Sequence, residues 1–249
     1  MYPILFTFGP IHIYSYGLMV AVAFLVSTFL LSRYAISLKL NKDFFWNLSF
    51  WVLLGGIAGG RLLYIALNLR FFLDNPAEIV MLWHGGLVWY GGFLGGLGLG
   101  ISYIKSKRES LLKTLDIIVP FVALGHSIGR IGCFLNGCCY GKPVGWGIYF
   151  PVHNDYLIPT QIFSSLGLLV VFIILRVVQE RPHRDGAMVV MYLLLSSVER
   201  FFEEVFRNDS PRNFYGLTIF QVISVMLFLS ALILWFILLW FQKKIRANG

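Results

Sequence analysis

Long runs of hydrophobic residues recur along the chain and are separated by short polar connections. Each run is about 18–20 residues long, which is enough for a helix to cross roughly 30 Å of hydrocarbon. Lipid offers no partners to main-chain N–H and C=O groups, so we expect helices rather than open sheets. The predicted spans are 16–36, 46–69, 86–103, 112–131, 161–178, 187–206 and 218–241. The pattern predicts an all-α, polytopic membrane protein with about seven transmembrane helices in a single domain, 1–249.

The composition agrees with this interpretation. Hydrophobic residues make up 58% of the chain, whereas charged residues make up 13%. A typical soluble domain carries about 25% charged residues. So little charge could not cover the surface of a soluble domain of this length.

The distribution of basic residues predicts the orientation of the spans. Lys and Arg cluster in alternate connections: Arg33, Lys39 and Lys42; Lys105, Lys107, Arg108 and Lys113; Arg176, Arg181 and Arg184; Lys243, Lys244 and Arg246. The positive-inside rule then places the N-terminus outside and the C-terminus in the cytoplasm. We interpret the net charge of +8 as a topology signal with lipid headgroup contacts, and not as a nucleic-acid surface.

Charged residues inside the spans are costly in lipid and are therefore functional candidates. With this topology, Arg61, Arg130 and Arg200 fall near the outer interface. The same layer contains Tyr14, Tyr16, His84, Tyr90, His126, Glu203, Glu204 and Arg207. In a purely structural interpretation, Arg200 pairs with Glu204 and Glu203 with Arg207, each four residues apart. Three arginines in one layer favour an anionic phospholipid instead, because guanidinium groups bind phosphate in a bidentate fork.

Two other features have simpler interpretations. Asp116 lies at the cytoplasmic start of the fourth span, where a carboxylate is expected to favour a helix N-terminus. Glycines are frequent in 55–60 and 85–96. They favour close packing of helices, although the pairs around Trp89 and Tyr90 could also form a bent entry with main-chain amides facing a ligand.

The stretch 129–141 contains all three cysteines of the chain, Cys133, Cys138 and Cys139. We expect it to leave the fourth span and begin an extracytoplasmic loop, 132–160. The spacing matches no common zinc pattern, and a disulfide would leave one cysteine over. Free thiols filling a tight turn, without a metal, are the favoured interpretation, and the redox state of the three cysteines stays open.

The same stretch resembles the signature of the bacterial prolipoprotein diacylglyceryl transferases, which is roughly Gly-Arg-x-Gly-Asn-Phe-x-Asn-x-Glu-x-x-Gly. The residues in register are Gly129, Arg130, Gly132, Phe134, Asn136 and Gly141. Similar agreement is found at 16–19, 59–61 with Tyr64, 85–92, 159–161, and Arg200, Glu204, Phe206 and Arg207. The resemblance therefore extends along nearly the whole chain.

The resemblance implies a transferase of lipoprotein biosynthesis. It would move the diacylglyceryl group of phosphatidylglycerol to the cysteine thiol of a prolipoprotein lipobox, forming a thioether and releasing glycerol phosphate. Such an enzyme needs no metal or other cofactor. It would be a multi-pass protein of the bacterial cytoplasmic (inner) membrane, with its active site toward the outer leaflet.

The site residues follow from the motifs and from the charges the reaction develops. Fixed cations stabilise the departing phosphate, and a base must accept the thiol proton. The predicted catalytic residues are Arg130, Arg200, Tyr90 and His84, with His126 and Glu204 as further candidate bases. The predicted substrate-binding residues are Arg61, Tyr16, Asn136, Gly141, Glu204 and Arg207.

The chain also departs from the family pattern at several positions. Tyr90 stands where the family has histidine, and a tyrosine with pKa near 10 is a poorer base. Cys133 and Cys138 replace the signature Asn and Glu, and Phe163-Ser164 follow Gln161 in place of Tyr-Glu. These departures leave open which residue acts as base. They also motivate a same-fold transferase with another acceptor or headgroup as the alternative, ahead of a lipid or solute transporter.

Overall fold

The computed structural model describes residues 1–8, 11–81, 85–212 and 215–247. Its α-helices are α1 (Ser15–Ser37), α2 (Lys42–Leu67), α3 (Leu69–Asp74), α4 (Trp89–Ser106), α5 (Leu111–Asn136), α6 (Thr160–Gln179), α7 (Ala187–Phe206) and α8 (Ile219–Ala247). A single 3₁₀ turn, Pro76–Ile79, follows α3. The seven predicted spans each coincide with one long helix, and the short helix α3 overlaps only the end of the second prediction.

Five of these helices are long and apolar enough to cross a membrane: α1, α2, α5, α6 and residues Ile219–Trp240 of α8. The other two long helices differ for visible reasons. Helix α4 has 18 residues with many glycines, and α7 carries four charged residues in its second half. Many large apolar side chains on α1, α2 and α8 are exposed, as lipid-facing surfaces require.

The structure is mostly helical, as predicted, and two small antiparallel hairpins accompany the helices. Strand β1 (Ile4–Phe8) pairs with β2 (Ile11–Tyr14) ahead of α1. Strand β3 (Pro143–Phe150) pairs with β4 (Asp155–Leu157) within the predicted loop 132–160. Helix α5 also continues to Asn136, so the first residues of that predicted loop are helical. Strands this short leave little periodic signal in a sequence.

The chain forms two compact units, and the single domain, 1–249, stays a prediction. Unit 1 comprises Met1–Leu30 and Leu115–Gly249, and unit 2 comprises Leu31–Thr114. Unit 1 therefore contains both hairpins, most of α5, and all of α6, α7 and α8. Unit 2 contains α2, α3 and α4.

Unit 1 is held together by an apolar core and by close contacts of small residues. The core comprises Val119, Ala123, Val171, Leu175, Ala187 and Met188, contributed by α5, α6 and α7. Ser127 of α5 and Ser165 of α6 donate hydrogen bonds to each other's carbonyl oxygens, at 2.7 and 2.9 Å. Such polar contacts between small residues are a common way of joining helices in lipid.

Unit 2 depends on the contact of α2 with α4 through glycines. A Cβ atom at Gly55 would collide with the carbonyl of Gly95, and one at Gly59 with the carbonyl of Gly91. The two main chains thus pack at a distance that only glycine permits. The close-packing interpretation is confirmed for these four residues.

Candidate active site

A buried network of charges links α5 to α7 in unit 1. The NH2 group of Arg130 donates to Oε2 of Glu203 at 2.7 Å, and NH1 of Arg200 donates to the same oxygen at 2.5 Å. Arg200 also contacts Glu204 Oε2 at 3.1 Å, and Arg207 contacts that oxygen at 3.4 Å. Each glutamate therefore bridges two arginines, so the positive and negative groups alternate.

The pairing differs in part from the one expected from sequence. The Arg200–Glu204 pair is confirmed, whereas Glu203 bonds to Arg130 and Arg200 instead of pairing with Arg207. Arg207 bonds to Asp209, through Nε and NH2 at 2.8 Å each. An i,i+4 rule considers pairs within one helix only. It therefore predicted Arg207 as the partner of Glu203 and could not predict Arg130 of α5. The sequence pattern placed Glu203 in the same layer without giving it a site role, and it did not single out Asp209.

The network retains polar atoms with no hydrogen-bond partner among the described residues. Arg130 is 7% exposed, and its Nε group is one of these atoms. Oε1 of Glu203 and Oε1 of Glu204 are others. A buried donor without a partner is costly, so the free Nε of Arg130 marks a position where an anionic ligand would be stabilised.

Aromatic and apolar groups border the network on α7 and α8. The guanidinium groups of Arg200 and Arg207 lie 4.9 and 5.7 Å from the ring centroid of Phe220. Next to Arg200 on α7, an apolar groove runs between α7 and α8. Its lining residues are Ser197, Val198, Phe201, Phe202, Ser224, Val225 and Phe228. Charge and an apolar surface thus adjoin each other, as an amphiphilic ligand requires.

Residues 133–141, which end α5 and reverse the chain after it, are called the signature turn, and this turn is fastened to α6. Gly137 adopts φ +78° and Cys139 φ +61°, which reverses the chain directly after the helix. Thr160 Oγ1 donates to the carbonyl of Cys139, and Gln161 Nε2 donates to that of Cys138, both at 2.6 Å. Gln161 thus holds the turn against α6, whereas the sequence showed it only as part of a motif.

Gly141 joins this turn to the end of α7. It forms an isolated β-bridge with Arg207, and the N–H of Lys142 donates to Phe206 O at 3.0 Å. A Cβ atom at Gly141 would lie 2.7 Å from Cβ of Ile158. A larger residue would therefore collide with Ile158 and Thr160 and shift the turn. Asn136 is the last residue of α5 and is half-buried.

Arg61, the third predicted arginine, lies in unit 2 and is 6% exposed. Among the described residues, its guanidinium group hydrogen-bonds only to main-chain carbonyls. The acceptors are Ile79 O at 3.1 Å, Gly85 O at 2.5 Å, Gly86 O at 3.2 Å, Met81 O at 3.4 Å and Glu78 O. Five acceptors match the five N–H donors of a guanidinium group. Arg61 thus fastens the segment between α3 and α4.

The remaining predicted residues lie on several elements of the two units. Tyr90 lies in the first turn of α4 in unit 2, is 57% exposed, and has its ring 5.3 Å from that of Trp89. His84 lies outside the described residues. Tyr16 begins α1 in unit 1 beside Gly132 of α5, where a Cβ atom would lie 3.4 Å from its ring. His126 lies on an exposed part of α5.

Asp116 is a helix partner, but for a different helix from the one expected. Its carboxylate accepts hydrogen bonds from the main-chain N–H groups of Gly186 at 2.6 Å and Val189 at 3.2 Å. These groups begin α7, so Asp116 of α5 caps α7 from outside. Gln179 of α6 donates to the carbonyl of Asp116 at 2.8 Å. This end of unit 1 is a structural junction.

A helical membrane protein with a buried arginine–carboxylate network beside an apolar groove is the class that this fold and site define. Comparison with known families identifies the family within this class. The family model described as prolipoprotein diacylglyceryl transferase matches residues 3–237, and the chain belongs to this family.

Curated relatives agree. The chain is 37% identical over 232 residues to the phosphatidylglycerol–prolipoprotein diacylglyceryl transferase of Clostridium tetani, covering 90% of this chain and 93% of the relative. It is 34% identical to the Clostridium perfringens enzyme numbered 2, covering 90% of both chains. It is 30% identical to a Staphylococcus aureus enzyme of the same name, covering 92% of this chain and 86% of the relative.

Proposed function

We propose that this protein transfers the diacylglyceryl group of phosphatidylglycerol to the thiol of a prolipoprotein lipobox cysteine. The observation that carries the proposal is the buried Arg130, whose Nε group has no partner among the described residues although NH2 is bound by Glu203. A guanidinium held by a carboxylate at NH2, with an unpaired N–H at Nε, is suited to a phosphate. The names of the family and of its curated relatives support the same substrates.

The reaction makes one bond and breaks one bond. The substrate thiolate forms a C–S bond with the glycerol carbon that carries the phosphate, and the C–O bond to that phosphate breaks. Glycerol phosphate leaves with the electron pair, and the thiol proton passes to a base. Negative charge therefore grows on the departing phosphate, where Arg130 and Arg200 stabilise it within a site poor in water.

Each glutamate of the network has a positioning role. Glu203 holds Arg130 and Arg200 at one oxygen, and Glu204 holds Arg200 and Arg207 at another. A guanidinium on a flexible side chain is thereby fixed before the substrate binds, so less entropy is lost in the transition state. Arg207 and Gly141 place the signature turn against α7.

The groove between α7 and α8 is the proposed position of a lipid acyl chain. Phe201, Phe202 and Phe228 give it an apolar surface, and the guanidinium group of Arg200 lies 4.9 Å from the ring centroid of Phe220 on α8. A phospholipid bound there would place its phosphate by Arg200 and its acyl chain along the groove. Tyr16 and Asn136 are proposed to contact the substrate near the signature turn.

Tyr90 and His84 stay the proposed bases, on the strength of the family resemblance. Arg61 is proposed to act indirectly, since its five carbonyl bonds fix the segment that precedes α4 and hence Tyr90. Neither a metal nor an organic cofactor is required by this scheme, because the nucleophile belongs to the substrate.

We also propose a full membrane topology with seven spans, from the lengths of the helices and the distribution of basic residues. Helices α4 and α7 would add two spans to the five apolar ones, giving seven. The basic connections would face the cytoplasm, with the N-terminus, the segment 132–160 and the active site toward the outer leaflet of the bacterial cytoplasmic membrane. Reactivity of single introduced cysteines toward impermeant reagents in intact cells and in lysates tests each connection.

The activity is tested by incubating the purified protein with phosphatidylglycerol and a lipobox peptide. Mass spectrometry is expected to detect the peptide with a diacylglyceryl thioether, and no such product with Arg130→Ala. The Clostridium tetani relative is the positive control. Absence of the thioether where that relative forms it would overturn the proposal.

A same-fold transferase with another acceptor or headgroup is the second candidate. The three thiols in the signature turn favour it, since they replace groups with different hydrogen bonding. Mass spectrometry of lipids and peptides after incubation with mixed phospholipids separates the two. Tracer flux without a covalent product would indicate a transporter instead.

A further inference from the structure

The three cysteines of the chain come together in the signature turn. Cys133 lies in the last turn of α5, and Cys138 and Cys139 follow directly after the helix. Their sulfur atoms all lie within 4.8 Å of one another. All three are free and half-buried. The scheme of transfer described above uses none of these thiols.

The main chain holds this arrangement in place. The N–H of Cys138 donates to the carbonyl of Cys133 at 3.2 Å, which closes the turn over Gly137. Thr160 and Gln161 of α6 bind the carbonyls of Cys139 and Cys138. The thiols are therefore presented by a fixed backbone, and a ligand would meet them already gathered.

The spacing suits one ion bound to three sulfurs. With a metal–sulfur distance of about 2.3 Å, trigonal coordination places the sulfurs about 4.0 Å apart. The limit of 4.8 Å observed here is within one ångström of that separation. A disulfide would require two sulfurs at about 2.05 Å, and would leave the third thiol without a role.

Two arginine side chains lie close to the thiols. Arg130 and Arg207 both lie within electrostatic reach of Cys139. Three thiolates around a monovalent cation carry a charge of about −2, and these two arginines offset part of it although Arg130 also bonds to Glu203 and Arg207 to Asp209.

We propose that Cys133, Cys138 and Cys139 bind one monovalent copper ion as a three-sulfur site. Soft thiolates select Cu(I) among the first-row metals, and three-coordination suits this ion, whereas structural zinc takes four ligands. Binding forms three copper–sulfur bonds and releases three thiol protons to solvent, with no change of oxidation state. The site does not depend on the transfer reaction.

The experiment is an anaerobic titration of the purified protein, in detergent, with Cu(I) supplied by a coloured competing chelator. We expect one copper ion per chain, and at least a tenfold loss of affinity in each of Cys133→Ser, Cys138→Ser and Cys139→Ser. Met226→Leu removes an exposed sulfur from α8 and is the control expected to bind like the unaltered protein. Copper binding that survives any one of the three serine substitutions would overturn a three-sulfur site.

Two measurements on the unaltered protein guard against variants that fail to fold. Cu(I) is expected to protect all three thiols from alkylation, and X-ray absorption at the copper edge is expected to report three sulfur neighbours. Reactive thiols in the presence of Cu(I), a two-sulfur signal, or tighter binding of Zn²⁺ than of Cu(I) would each contradict the assignment.

Discussion

Arg130 in unit 1 and Arg61 in unit 2 are both buried arginines in apolar helices, yet they have opposite kinds of partner. Arg130 bonds to the carboxylate of Glu203 and retains an Nε group without a partner. Arg61 bonds to five main-chain carbonyls and to no carboxylate that the structure describes. The two side chains are 7% and 6% exposed, so burial does not distinguish them.

The difference in partners separates a binding role from a structural one. Five carbonyl acceptors use every N–H of Arg61, so a ligand would have to break an existing bond. When arginines share a carboxylate, some of their N–H groups stay unpaired and can bind a ligand. The shared carboxylates also hold the guanidinium groups near one another at low net charge. An intramembrane arginine is thus best assigned by counting its acceptors, because its depth in the membrane would be the same in either role.

The largest expected effect is on catalysis by Arg130→Lys. Lysine keeps the charge but loses the planar fork that bonds to Glu203 while presenting a second donor. We expect the rate of transfer to fall by about 100- to 1,000-fold, or roughly 3–4 kcal/mol. Thioether formation per amount of folded protein is the measurement.

The matched control is Arg181→Lys, an exposed residue of unit 1 on the connection after α6. It is expected to retain the unaltered rate. If Arg130→Lys also transferred at that rate, the free guanidinium edge would have no part in the reaction, and the contrast with Arg61 would lose its functional meaning.

Arg61→Lys is expected to act on stability instead. An ammonium group has three N–H donors, so at least two of the five carbonyls lose their bond. We expect the free energy of unfolding to fall by about 2–3 kcal/mol, because hydrogen bonds to a buried charge are lost together. Thermal unfolding in detergent measures this, with the exposed Arg70→Lys as control.

The substrate affinity of Arg61→Lys is a second measurement, which distinguishes a structural role of Arg61 from a lipid-binding role. Transfer by the folded fraction of Arg61→Lys is expected to keep its apparent KM for phosphatidylglycerol. A large rise in that KM with little change in unfolding would show that Arg61 contacts the lipid, as its position in the sequence first suggested.

The helices of both units were largely predictable from hydrophobic runs alone. The limits of α7 were predicted without error, and those of α1, α5 and α6 within a few residues. The hairpins were not, because β3 and β4 together have too few residues for a periodic signal to stand out. Burial along β3 is also irregular, so its buried and exposed residues do not alternate as they do in a regular half-buried strand.

The sequence singled out most charged residues of the network on α5 and α7, but not their pairing. Arg130, Arg200, Glu204 and Arg207 were singled out because charges are rare in apolar spans. The bond from Arg130 to Glu203 joins residues 73 positions apart. No local rule connects positions so distant, and the same holds for the five carbonyls that bind Arg61. The sequence therefore did not predict hydrogen-bond partners that lie on another helix or segment.

Gly59→Ala tests the packing on which unit 2 depends. The added methyl group would collide with the carbonyl of Gly91, and neither main chain can move freely at this contact. We expect a loss of about 2 kcal/mol in stability, typical of overpacking. Gly98→Ala is the matched control on α4, since a Cβ atom there meets nothing within 4 Å.

Thermal unfolding of both variants in the same detergent is the measurement. Gly98→Ala is expected to be neutral or more stable by up to about 1 kcal/mol, because alanine restricts the unfolded chain. Equal destabilisation by both substitutions would mean that helix propensity, and not the contact of α2 with α4, sets the cost.

The smallest expected effect is that of Asp116→Asn, which sharpens the comparison within unit 1. Asp116 is a buried carboxylate with main-chain N–H partners, whereas Glu203 is a buried carboxylate with arginine partners. Asparagine keeps an acceptor for Gly186 or Val189 but loses the charge that favours the start of α7. We expect a loss of about 1 kcal/mol in unfolding free energy.

Transfer by Asp116→Asn is expected to be unchanged, because Asp116 and Arg130 lie about 21 Å apart along α5 at 1.5 Å per residue. Glu180→Gln is the control, since Glu180 is exposed and its pair with Arg176 contributes at most about 0.5 kcal/mol. Parallel assays of unfolding and thioether formation check both expectations. A folded Asp116→Asn protein with little transfer would show that the reaction depends on the capped end of α7 as well, so a carboxylate's partners would no longer separate structure from catalysis.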